Sequence, residues 1–145
     1  TSTTASPNGA TKSPPSNFEP LRTAPAITHL IVEYSQNLNT FPEAQALVEL
    51  NEAITSHPTF PDEIELKSRF VLVDSFAIGT QPAQRAFIHA QLRLLSGRTD
   101  EIKQELSGRI AEVLQRLSPR PEGVLVQLSV EIVDMHRASY AKERF

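Results

Sequence analysis

The order of its periodic segments constrains this chain more than any other feature. From residue 28 onward a β-rich run, a helical apolar stripe and a second β-rich run follow one another, and then the same succession repeats. "HLIVEYS" is β-branched and aromatic, as a strand covered on at least one face must be, and it stops at the turn-forming "QNLN". Thr40 and Glu43 have capping-box spacing around Pro42. Ala46, Leu47, Leu50, Ala53 and Ile54 then recur at helical spacing until His57-Pro58. "SRFVLVDSFAI" reads as a second strand and, after the break at "GTQP", "RAFIHAQLRLL" as a third. Thr99, Asp100 and Glu101 supply a cap and an acidic first turn for a second helix. Its stripe is Ile102, Leu106, Ile110, Val113, Leu114 and Leu117, and Ser118-Pro119 ends it. Gly108 within that helix costs about 1 kcal/mol, and close packing is the expected reason for it. "VLVQLSVEI" makes a fourth strand.

Two β-α-β units of similar size predict a pseudo-twofold α/β sandwich, a four-stranded sheet with both helices on one face. The other sheet face would carry apolar residues such as Val71, Val73, Val126 and Leu128, which an oligomer would cover.

Residues 1 to 27 are of another kind. They are rich in Ser, Thr, Pro and Ala and almost free of apolar side chains before Phe18, so they cannot bury enough surface to offset their own ordering entropy. The expectation is an arm, 1–27, ahead of one domain, 28–145. It is either a loose tail or a segment that docks on a larger protein assembly through Phe18, Leu21 and Ile27, its prolines favouring an extended form. It has no apolar stretch like the core of a secretory signal, which points to the cytoplasm. A cleaved organelle transit segment would leave a similar Ser/Thr-rich start.

Composition removes several classes of function. With 14 basic and 17 acidic residues, the Lys and Arg scattered, no face suits a nucleic-acid backbone, and no apolar run is long enough to span a membrane. The absence of cysteine excludes disulfides, thiolate nucleophiles and zinc ribbons. His29, His57, His89 and His136 never fall three or four residues apart, so helical metal-ligand spacing is missing and no metal or other cofactor is expected.

"THLIVEYSQNL", "FPDEIELKSRFVLVD", "RAFIHAQLRLLSGRT" and "LSVEIVDMHR" resemble successive blocks of 5-carboxymethyl-2-hydroxymuconate isomerase, in the tautomerase superfamily, from about Thr28 to the end. The resemblance implies a tautomerase-type β-α-β-β-α-β sandwich, a homotrimer with sheets facing a central channel, and a place in aromatic catabolism. It also implies cofactor-free conversion of a 2-hydroxymuconate-type dienol diacid to its keto isomer. Such proton transfer needs a base with a pKa near the working pH and cations that hold the substrate carboxylates.

In that family the base is a free N-terminal proline amine just ahead of the first strand, and Thr28 stands in its place here. Within an unbroken chain the Thr28 nitrogen is an amide, so the resemblance implies an impaired isomerase or a pseudoenzyme. Cleavage after Ala24 would expose Pro25 about 10 Å too early in an extended chain. Cleavage before Thr28 would leave a primary amine with a pKa near 8. Of the cationic side, Arg98 in "SGRT" matches a family arginine and Arg69 a further basic position. Lys67 stands for a second catalytic arginine but lacks its two-pronged fork. Read without the resemblance, Lys67 and Arg69 are surface charges beside a strand, and Arg98 satisfies a carbonyl or a helix carboxylate in a turn. His29, in the opening block, is expected to be a packed strand histidine rather than a replacement base, and with Arg69 it is a candidate substrate contact. Glu33 and Glu131 are expected to pair with these cations or a neighbouring strand. Two function classes follow: an isomerase-like protein with a pocket for a small dicarboxylate, or a structural subunit that uses the fold as a trimeric scaffold.

Overall fold

The computed structural model describes residues 27–145. Four strands form one sheet: β1 (Thr28–Ser35), β2 (Leu66–Val73), β3 (Arg85–Leu95) and β4 (Leu125–Met135), in the order β2-β1-β3-β4. β1 pairs parallel with β2 and β3 parallel with β4, while β1 and β3 meet antiparallel at the centre. Helices α1 (Glu43–Thr55) and α2 (Asp100–Leu117) are the two crossovers. The pseudo-twofold arrangement expected from the repeated succession is therefore present.

The alternation of side chains along each strand decides which face the helices cover. Leu30, Val32 and Tyr34 of β1 and Ala86, Ile88, Ala90, Leu92 and Leu94 of β3 form one buried cluster with Ala46, Leu50 and Ile54 of α1 and Leu106, Ile110, Val113 and Leu114 of α2. The helices are also tied to each other: Arg116 meets Glu49 at 2.7 Å, and Arg109 Nη1 donates to the Ala53 carbonyl at 2.8 Å.

Several local expectations need correction. Thr40 does not cap α1: Pro42 holds the N-cap position with no side-chain bond, and Glu43 instead accepts the Tyr34 hydroxyl. The cap at Thr99 is real, its hydroxyl accepting from Ile102 N at 3.3 Å. β2 starts at Leu66 and ends at Val73, well before Ile78, because its partner β1 runs out at the Ser35↔Val73 pair. β4 runs on to Met135, since β3 offers a partner as far as Leu95. Close packing does not explain Gly108, where an added Cβ would meet nothing within 4 Å.

The open face also differs from expectation. Val71 and Val73 lie on it, but Val126 and Leu128 pair with the buried Ala86 and Ile88 and so face the helices. The alternate residues of β4 point outward and are mixed. On that face His89 bridges Ser129 and Glu131 at 2.7 Å each, so Glu131 pairs with the neighbouring strand, and Glu33 stands opposite His89 in register.

Tyr34 yields a first prediction. Burial, then the hydrogen bond and negative charge of Glu43, push its phenol up to about 12 from 10.0. The folded protein holds this proton more tightly than the unfolded chain, so Tyr34 adds stability in full below pH 10.0 and loses it as the pH rises towards about 12. In denaturant titrations across that window, the stability advantage of the parent over Tyr34→Phe is expected to shrink with rising pH. A constant difference would rule out the coupling.

Candidate functional site

The starts of β1 and β2 and the end of β3 lie at one end of the sheet, since Thr28 is opposite both Leu66 and Leu94. Thr28 is fully buried and Ile27 ahead of it is 6% exposed. The Thr28 nitrogen is thus a peptide amide between two buried residues. Of the three residues expected to dock on a larger assembly, Ile27 is instead buried against this domain, and Phe18 and Leu21 lie outside the described residues.

The alternation that buries Thr28 and Leu66 turns His29, Lys67 and Arg69 to the open face. Arg69 Nη1 is 3.1 Å from His29 Nδ1, and the Tyr140 hydroxyl is 3.5 Å from Nε2. A guanidinium can only donate, so Nδ1 accepts and the ring proton belongs on Nε2. Burial, followed by the charges of Lys67, Arg69 and Arg93, holds the His29 pKa below its ordinary value, favouring the neutral ring. Its one lone pair is already engaged, which suits a packed polar contact better than a ready base.

Beside these residues is a cleft of ≈ 620 Å³ whose walls include Ile27, His29, Glu65, Lys67, Tyr140 and Lys142. Both neighbours of Thr28 line it, while Thr28 itself is fully buried. Lys67 Nζ donates to the Glu65 carbonyl at 2.7 Å and stands 3.8 Å from Glu65 Oε1. Lys142 lies 3.3 Å from Glu65 Oε2, and Arg144 binds the same oxygen. The cleft is therefore rich in cations, but they surround a carboxylate of the chain itself.

Arg98 does not join them. Gly97, at φ 128°, makes the turn after β3, where a residue with a side chain would be strained. Beyond it Arg98 donates from Nε to Thr59 Oγ1 and from Nη1 to the Leu95 carbonyl, both at 3.1 Å, with its guanidinium 5.9 Å from the Phe60 ring centre. Burial, then the nearby charge of Arg137, lowers its pKa, and Asp134 partly opposes this. Of the two turn contacts considered for it, a carbonyl and a helix carboxylate, Arg98 makes the carbonyl one.

Glu65, Tyr140, Lys142 and Arg144 were not singled out from sequence. Glu65 lies only two residues before Lys67, but it closes a 3-10 turn, Glu63–Glu65, rather than continuing the strand, so alternation could not have revealed its burial. Residues 140–144 follow the last strand without periodicity, and only the folded chain brings them back to β1.

Among the described residues, no group of three or more His, Asp and Glu is arranged to hold a metal, and no helix is long and apolar enough to cross a membrane. The sequence model of the family 5-carboxymethyl-2-hydroxymuconate isomerase matches residues 28–144. No curated protein matches the chain. Among solved structures, a 5-carboxymethyl-2-hydroxymuconate isomerase from Deinococcus radiodurans R1 is 24% identical, with a TM-score of 0.71 over 83% of this chain and 91% of its own. A 5-carboxymethyl-2-hydroxymuconate delta-isomerase is 19% identical, with a TM-score of 0.68 over 82% and 89%. A fused 4-OT wild-type symmetric trimer is 15% identical, with a TM-score of 0.56 over 79% and 93%. These likenesses show the fold.

Proposed function

Because the chain belongs to the 5-carboxymethyl-2-hydroxymuconate isomerase family, we propose that it is an isomerase-like protein whose cleft at the start of β1 receives a small dicarboxylate. While residues 1–27 remain attached, it is impaired in the family's proton transfer. One observation carries this reading. The nitrogen that would have to be the base is the amide joining buried Ile27 to buried Thr28, next to a cleft whose walls include Ile27, His29 and Lys67. An amide lacks the basic lone pair of an amine, and the Thr28 hydroxyl is far too weak to replace one. Binding and catalysis are thereby separated. Lys67 holds the ligand in the cleft, Arg69 fixes the His29 ring beside it, and Arg98 shapes the turn behind it.

The protein works as a homotrimer in this reading, with the mixed open face covered by neighbouring copies. The solved trimer of like fold and the four strands left bare on one side support this. Residues 1–27 form an arm ahead of the domain. The second reading, a trimeric scaffold whose arm secures a larger assembly, rests on the same bare face and requires no ligand.

Hexa-2,4-dienedioate, a diacid with nothing to ketonise, separates the two. Titrated calorimetrically into the intact chain, it is expected to bind in a salt-sensitive manner, and Lys67→Ala to weaken it about tenfold, the size of one charge-assisted contact. Heat that is absent at every concentration, or unaffected by Lys67→Ala, would favour the scaffold.

A further inference from the structure

Beyond β4 the chain turns back across the end of the sheet. Arg137 donates from Nε and Nη2 to the Ser96 carbonyl at 3.1 and 2.6 Å, fastening the segment beside the end of β3. Tyr140 then lies against His29 of β1, and Lys142 and Arg144 reach Glu65, just ahead of β2. Arg144 also meets Asp62 at 3.5 Å. Residues 136–145 thus form a strap over the start of β1.

Burial is unequal along this fastening. Glu65 is 1% exposed, whereas the Arg144 side chain is 57% exposed. A carboxylate this deep in the protein must be paired, and what pairs it is Lys67 from β2 together with two cations from the strap. Glu65 Oε1 is buried without a hydrogen-bond partner, so Lys67, at 3.8 Å, faces it as a charge alone. The same three cations, Lys67, Lys142 and Arg144, line the cleft. An incoming carboxylate would need what Glu65 already holds.

The geometry points to a latch: Glu65 acts as a built-in carboxylate that fastens the strap over the cleft and competes with an external diacid for Lys67, Lys142 and Arg144. This rests on the reading of the cleft as a dicarboxylate site. A diacid enters by taking these cations from Glu65, and the strap loosens as it does so.

The test uses the full chain with two variants and two readouts. Glu65→Gln keeps the shape and removes the charge; Lys142→Ala with Arg144→Ala removes the exposed side of the fastening and leaves the buried side chain in place. Amide hydrogen exchange at Tyr140, whose N–H donates to the Arg137 carbonyl, is expected to quicken about tenfold in both proteins relative to the parent. Hexa-2,4-dienedioate is expected to bind about tenfold more tightly to Glu65→Gln, but no more tightly to the double variant, which has lost two of the cations. Exchange unchanged in both variants overturns the latch. A loosened strap with parental diacid affinity in Glu65→Gln overturns the competition. A loosened strap with no diacid bound by any of the three proteins supports the latch and overturns the reading of the cleft.

Discussion

A chain shortened to begin at residue 28 and carrying Thr28→Pro is expected to ketonise a 2-hydroxymuconate-type dienol about 10²–10⁴ times faster than the intact chain, the usual worth of a positioned general base. The change converts one amide nitrogen into a secondary amine. It does so next to the cleft, because Ile27 and His29, on either side of residue 28, both line it. Proline is accepted at the first residue of a strand, which residue 28 is. The shortening also removes buried Ile27, at a cost of about 1.5–3 kcal/mol, so circular dichroism must first show that the variant is folded. A folded variant that stays at the rate of the intact chain would mean the remaining cations no longer suit the chemistry. In that event the family's substrate class would not transfer to this cleft.

The second large effect concerns stability. Leu30→Ala should cost about 2–5 kcal/mol in chemical denaturation, and Leu92→Ala a similar amount. Leu30 and Leu92 face each other across the antiparallel pair at the centre of the sheet, and both are wholly buried beneath the helices. Neighbours held on four strands and two helices cannot collapse fully into the space, so a cavity adds to the lost transfer energy. The double substitution should fall short of the sum, since the two side chains share one cavity. By contrast, Val71→Ala, at a site 40% exposed on the open face, should change the stability of the monomer by well under about 1 kcal/mol. Equal losses at Leu30 and Val71 would contradict the one-sided core.

Most of the architecture could be read from the sequence because each element carries its own periodicity. β3 begins at Arg85 and ends at Leu95, the bounds read for it after the break at GTQP, and Thr99 caps α2 through its own hydroxyl. The misses occur where a partner decides. Thr40 and Glu43 have the spacing of a capping box, but the Tyr34 hydroxyl, buried against α1, takes the Glu43 carboxylate. The ends of β2 and β4 follow the lengths of β1 and β3 rather than their own composition. The face that Val126 and Leu128 occupy depends on register, which an apolar run with period two does not settle alone.

The site was less legible for the same reason. Thr28, His29, Lys67 and Arg69 do gather at one end of the sheet, because register carries them there. Arg98 lies on the same sequence trail but is held in its turn by Thr59 and Leu95. Glu65, which engages three of the cations around the cleft, depends on contacts from residues 142 and 144, far away in sequence. Pairing over such separations leaves no local pattern.

The most direct test of the central claim is ketonisation of a 2-hydroxymuconate-type dienol by the intact chain, followed by ultraviolet absorbance. The account predicts the solvent rate and no more, because the nitrogen at residue 28 is an amide and the lone pair of His29 is engaged by Arg69. An acceleration well above solvent that disappears in His29→Ala would contradict it and make this chain a working isomerase with its base moved one residue along the strand.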